Sequence, residues 1–170
     1  MTLFDTDRLV FKRLECSDAD FILALLNSQG FLDNIGDRGV RTLAQASDYI
    51  AQGPMASYAE FGFGLYRVEL KTSGEVIGIC GLIKRPALPH VDIGYAFLPQ
   101  YWGKGYAMEA ARATLSHAKA LGIDKLLAIV SPHNQASKTI LLKLGLSFEH
   151  YLQLTPEDDE VELYTLGLNT

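Results

Sequence analysis

The chain is short of cysteine, of basic charge and of long apolar runs, and each shortage removes a class of protein. Two cysteines, Cys16 and Cys80, are too few for a disulfide framework or a metal cluster. Both are expected to be buried free thiols in a reducing cytoplasm, and no metal is expected. Fifteen lysines and arginines stand against twenty acids, and the resulting net charge of −5 offers no basic face for general nucleic-acid binding. A mild preference for a cationic acceptor follows from the same charge. No apolar run approaches the ~20 residues of a membrane span, so no membrane role is expected. Met1 to Asp5 carries no basic stretch leading into an apolar one, so no signal peptide is expected. There is no repeat, linker or low-complexity segment, and 170 residues suit one domain, 1–170, with a sizeable core.

What is present is a regular succession of short patterns. Thr6 to Leu14 alternates apolar and polar residues and predicts a first strand. Ser17-Asp18-Ala19-Asp20 predicts a helix start, with an acid at the third position after the cap. Thr42 to Gln45 opens a second helix in the same way, and the segment from Gly30 to Arg41 between them reads as irregular. Phe61 to Leu70, a turn at Lys71 to Gly74, and Glu75 to Ile83 predict a hairpin. His90 to Leu98 is the next strand, ended by Pro99. A long helix is predicted from about Gly105 to Leu121, stopped by Gly122, with the small residues Ala107, Ala111 and Ala118 on one side. A strand over Leu126 to Val130, a helix over Asn134 to Leu144 ended by Gly145, and two strands over Leu146 to Leu154 and Val161 to Leu168 complete the chain. The order β-α-α-β-β-β-α-β-α-β-β implies an α/β fold, a mixed sheet layered with helices.

The densest signal lies between the strand that ends at Pro99 and the long helix. Gln100-Tyr101-Trp102-Gly103-Lys104-Gly105-Tyr106-Ala107 reads Q-x-x-G-x-G-x-A. Two glycines two apart turn the backbone tightly. The first N–H groups of the following helix have no partner within it and carry the positive end of its dipole. Such a turn binds phosphate through backbone donors. It is not a G-x-x-x-x-G-K-[ST] loop. It is not G-x-G-x-x-G either, because Met108 stands at the third glycine's place.

This loop resembles the acyl-CoA pyrophosphate loop of the GNAT N-acetyltransferases, written [Q/R]-x-x-G-x-[G/A]. Further segments are similar to that family, in its ribosomal-protein N-acetyltransferase-like branch. They are Thr6 to Leu14, with T-x-R-L at its start, Asp18-Ala19-Asp20, Gly74 to Gly81, Asp92-Ile93-Gly94-Tyr95, Asn134-Gln135-Ala136-Ser137 and Lys143-Leu144-Gly145-Leu146. They stand in the family's order from about Thr6 to Leu168. The resemblance implies the GNAT fold, with central strands splayed for the cofactor. It implies acetyl transfer from acetyl-CoA to a primary amine by direct attack in a ternary complex.

Site residues follow from the same resemblance. Gln100, Trp102, Gly103, Lys104, Gly105, Tyr106 and Ala107 would form the pyrophosphate loop. Phe97 and Leu98 would bond the pantetheine amides, with an oxyanion donor near Leu98. Asn134 would bond the pantetheine arm, or cap its helix, or both. Lys104 and Lys138 would touch phosphate or simply face solvent, the latter being favoured for Lys138. A neutral amine must be formed before attack, and Asp92, in the place of the family's glutamate, is the candidate base through a water relay. His90 and His133 are weaker candidates. Ser137, one turn beyond Asn134, would stabilise the leaving thiolate, with Tyr164 as another donor. The acceptor, a small-molecule amine or a protein N-terminus, would meet residues 27–53 and the acidic turn of residues 155–160. Phe31, Tyr58, Phe61 and Phe63 would line its pocket or the core. The alternative is a non-catalytic acyl-CoA sensor or scaffold with the same fold, which the aspartate at 92 keeps open. A nucleotide enzyme of another family would bind ATP or NAD and ignore CoA.

Overall fold

The computed structural model describes residues 1–168. Eight strands form one mixed sheet: β1 Thr2–Asp5, β2 Leu9–Arg13, β3 Leu65–Leu70, β4 Val76–Ile83, β5 Asp92–Phe97, β6 Lys125–Val130, β7 Ser147–Leu152 and β8 Val161–Gly167. Six α-helices accompany it: α1 Ala19–Leu26, α2 Gln29–Asn34, α3 Leu43–Ile50, α4 Ala56–Phe61, α5 Tyr106–Ala120 and α6 Gln135–Leu144. The strand order is β1-β2-β3-β4-β5-β6-β8-β7, and only β5 and β6 are parallel neighbours.

Strand patterning explains the layers. Alternate residues of a strand face opposite sides. On β5, Ile93 joins α5 and α6 in one cluster that includes Ala111, Ala118 and Leu141. Ala96, on the other face, joins a cluster built by α1, α2 and α3 with Ile22, Phe31 and Ile50. The alanines of α5 let it lie close on the sheet, and Ala110, Ala111 and Ala118 are fully buried. On the second face, β6 and β8 are covered by the loop bearing Leu88 and by Leu152 and Leu154. Burying a leucine, isoleucine or phenylalanine of these clusters stabilises the fold by about 1.5–3 kcal/mol, and an alanine by less, before entropy is subtracted.

Helix ends follow their signals. Thr42 caps α3 by accepting from the Gln45 N–H, and the Gln45 side chain answers to the Thr42 N–H. Gly122 and Gly145 take positive φ where α5 and α6 stop. Elsewhere the structure departs from the pattern. Thr6 to Leu14 is not one strand, because Thr6–Arg8 is a turn that pairs an extra strand, β1, with β2. The chain before α1 is capped two residues earlier than Ser17, by a box between Glu15 and Asp18. Gly30 to Arg41 contains part of α2, and Phe61 ends α4 rather than beginning a strand. Among the described residues, no helix is long and apolar enough to cross a membrane. No group of three or more potential metal ligands occurs among them either.

Candidate active site

The site begins where the sheet comes apart. β5 and β6 share one position of register, Asp92 with Leu127, where the Leu127 N–H donates to the Val91 carbonyl at 2.9 Å. Beyond it the strands separate. At the far end of β5 the Leu98 N–H donates to the Ile77 carbonyl of β4 at 3.0 Å. Backbone groups alternate between neighbours along a strand. Leu98 therefore faces β4, whereas Tyr95 and Phe97 turn their backbone groups into the gap. This corrects the expectation for Leu98: its N–H already has a partner, and the donor at the gap is that of Phe97.

The mouth of the gap carries the glycine loop. Pro99–Tyr101 makes one 3-10 turn, and α5 starts at Tyr106. Gly103 and Gly105 take φ of +75° and +81°, a region that side-chain-bearing residues avoid. Left-handed residues set among right-handed ones make successive N–H groups converge on an anion. No side chain caps α5, so its first N–H groups have no side-chain partner at the cap. Lys104 is exposed, and so are Gln100, Trp102, Gly103 and Gly105. Tyr106 and Ala107 are half-buried at the helix start.

Ser137 and Tyr95 meet across the gap. Their hydroxyls are 2.7 Å apart, joining α6 to β5. Burial, partly offset by this contact, pushes the Tyr95 phenol up to about 12. Asn134 caps α6 through Oδ1, which accepts the Ser137 N–H at 3.2 Å, and the cap leaves its Nδ2 donors for another partner. Lys138 does not face solvent as expected. Its ammonium lies 2.8 Å from Glu162, and Tyr164 donates to the same carboxylate at 2.9 Å. Both groups are thereby occupied, which removes Lys138 from the phosphates and Tyr164 from the thiolate.

Asp92 lies on the other face. It is fully buried at the start of β5, with Oδ1 3.0 Å from Arg85 Nε and with Oδ2 unpartnered. Burial raises its pKa from 3.8 to about 6, against the pull of Arg85. Asp92 and Tyr95 are three residues apart, about 10 Å along a strand. The structure thus sets Asp92 and Ser137 on opposite faces of the sheet, rather than side by side. His90 is half-buried outside β5. His133 is exposed, with Nε2 3.0 Å from the Asp33 carbonyl.

Several contributors escape a reading of the sequence. Trp102, expected to offer only its backbone, donates its indole N–H to the Phe97 carbonyl at 2.9 Å. Its ring lies on Gly30 so closely that a Cβ there would meet two ring carbons at 2.2 Å. The other end of α2 is held from the segment that follows β6, because Ser131 donates to the Asn34 carbonyl at 2.7 Å and His133 contacts Asp33. Helix α2 therefore straps the mouth of the gap from one side to the other. Arg8 and Glu109 join the opening turn of the chain to the glycine loop.

Comparison with known proteins meets this geometry. The sequence model of the acetyltransferase (GNAT) domain matches residues 8–147. YoaA, an uncharacterized N-acetyltransferase of Bacillus subtilis (strain 168), is 30% identical over 154 residues, which are 89% of this chain and 86% of YoaA. The crystal structure of an acetyltransferase from Agrobacterium tumefaciens is 26% identical with a TM-score of 0.80, over 96% of this chain and 92% of that one. RimL, a ribosomal-protein acetyltransferase solved with coenzyme A, shares the fold at a TM-score of 0.81 over 98% of both chains, with 15% identity.

Proposed function

This chain belongs to the GNAT acetyltransferase family, and from that premise we propose that it moves an acetyl group from acetyl-CoA to a primary amine. Attack is direct, in a ternary complex, within a single domain. The observation that carries the proposal is the gap between β5 and β6, joined at one position and floored by the backbone of Tyr95 and Phe97. A pantetheine arm carries amides of its own and fits there as a missing strand. The N–H groups from Gly103 to Ala107 then face the pyrophosphate, that of Trp102 being already donated to the Pro99 carbonyl at 3.1 Å, and Asn134 Nδ2 reaches the arm. The Phe97 N–H serves the developing oxyanion, a type of contact worth about 3–4 kcal/mol.

The two faces of the sheet divide the chemistry. The amine arrives from the side of α1–α3, where Asp92 receives its proton through water. The thiolate leaves toward the Ser137 and Tyr95 hydroxyls on the side of α6. An α-amine, with a pKa of about 7.7–8.0, needs far less help than a lysine at about 10.4. A buried base reached only through water therefore suits a protein N-terminus or a small-molecule α-amine. Both cysteines are free thiols, Cys80 buried as expected and Cys16 exposed instead, which supports a cytoplasmic setting. Titration calorimetry with acetyl-CoA, using ATP and NAD as controls, tests the donor. Thiol release with N-terminal peptides, lysine side chains and small amines then tests the acceptor. The Arg85–Asp92 ion pair also suits a non-catalytic acyl-CoA sensor in which Asp92 is structural. Acetyl-CoA binding without thiol release in the presence of any of these amines would identify it.

A further inference from the structure

We infer that Arg8 is a positioning residue of the glycine loop: its guanidinium fixes the Lys104 carbonyl, and so sets where the Gly105 N–H points. The inference rests on the acetyl-CoA reading above. Arg8 lies in the turn between β1 and β2, almost a hundred residues from the loop in sequence. Its NH1 donates to the Lys104 carbonyl at 3.0 Å, and its guanidinium sits 4.5 Å over the Tyr106 ring. Its NH2 lies 3.3 Å from where a Cβ on Gly105 would be. One side chain thus touches three consecutive loop residues.

The physical consequence follows from the planar trans peptide. The Lys104 carbonyl and the Gly105 N–H belong to one rigid unit and point in opposite directions. Holding the carbonyl against Arg8 turns the N–H away from Arg8, to the loop's open side. Glycines on both sides of Lys104 leave this unit otherwise free to rotate. Fixing it beforehand lowers the ordering cost of binding.

Glu109 completes the device. It stands in the first turn of α5, where an unpaired carboxylate would repel a bound phosphate. Its Oε1 accepts from Arg8 Nε at 2.7 Å, and its Oε2 accepts from the Arg8 backbone N–H at 3.0 Å and from the Thr6 hydroxyl. Arg8 is held by Glu109 and at the same time neutralises it. Arg8→Ala should therefore do two harms, freeing the Lys104 peptide and baring the acid. Glu109→Gln in the same chain should undo the second.

The test compares two acetyl donors, acetyl-CoA and S-acetylpantetheine, which lacks the pyrophosphate. In Arg8→Ala the preference for acetyl-CoA, read as the ratio of the two kcat/KM values, should fall about tenfold, mainly through KM. The double variant Arg8→Ala/Glu109→Gln should regain part of that ratio. Arg8→Lys, which keeps the charge without the fork, should fall between wild type and Arg8→Ala and remains informative if the alanine variant does not fold. An unchanged ratio in Arg8→Ala and Arg8→Lys overturns the inference while leaving the acetyl-CoA reading standing. An equal loss with both donors overturns it too, because it marks Arg8 as a support of the fold only. A wild-type protein that ignores acetyl-CoA overturns both readings together.

Discussion

At the scale of single residues, Asp92 and Ser137 make separable demands. In the proposed reaction Asp92 must be ionised to accept a proton, and burial places its pKa near 6. kcat/KM should therefore rise with pH through about 6, provided the amine's own ionisation is corrected for. Asp92→Asn should remove that limb and lower turnover at least tenfold. The same shift acts on stability with the opposite sense. The folded protein holds this proton more tightly than the unfolded chain, so the contribution is present below pH 3.8 and is lost as pH climbs through about 6. Urea melts across that window should flatten in Asp92→Asn. Ser137→Ala should lower kcat about tenfold or more while leaving acetyl-CoA affinity nearly intact. Tyr95→Phe keeps the ring and removes only the hydroxyl that meets Ser137. Its effect on kcat should be smaller and should vanish in the Ser137→Ala background, because the two hydroxyls act as one unit.

At the scale of elements, α2 is the part with the most to report. It bears on Trp102 through Gly30 and on the segment after β6 through Asn34. Trp102 is the chain's one tryptophan, so its emission reads this contact without a label. Acetyl-CoA should shift the emission as a pantetheine N–H replaces the indole at the Phe97 carbonyl. Gly30→Ala should push the ring into water and shift the emission of the free protein to the red; unchanged spectra in both cases would refute the strap. This element was also the least legible in the sequence. A glycine near its start lowers helix propensity, and its six residues are too few to show a period. α4 was hidden likewise, by Gly53 and Pro54 just before it. β4 and β5 were readable from the turn at Lys71 to Gly74 and from Pro99, which bound them, and α5 and α6 because their apolar residues recur over enough turns and glycine marks the helix stops. Motif spacing singled out Asn134, Ser137 and the glycine loop. The partners Tyr95, Arg8 and Glu109 were not readable, since those contacts join residues 42 to 101 positions apart. The Leu98 error has the same root. Strand phase decides which neighbour a backbone N–H meets, and pairing is not visible in one strand alone.

At the scale of the whole molecule, the sheet is two half-sheets, β1–β5 and β6–β8, with one position of register between them. α5 and the strap of α2 hold them together from either side. A ligand seated in the gap should stabilise the protein by RT ln(1 + [L]/Kd), about 2.7 kcal/mol at a hundredfold excess over Kd. For a chain of this size that raises Tm by roughly 5–10 °C. Acetyl-CoA should produce the shift at concentrations where ATP and NAD do not.

If acetyl-CoA seats in the gap as proposed, the protein's lifetime would follow its own supply of donor. With acetyl-CoA and CoA scarce, the two halves would be held by the protein alone, and any opening along this seam would expose the interior to proteases. With them abundant, the seam would be filled and openings would become rarer in proportion to occupancy. Starved of its donor, the enzyme would be cleared sooner; well supplied, it would persist, so that its abundance would follow the means to do its work.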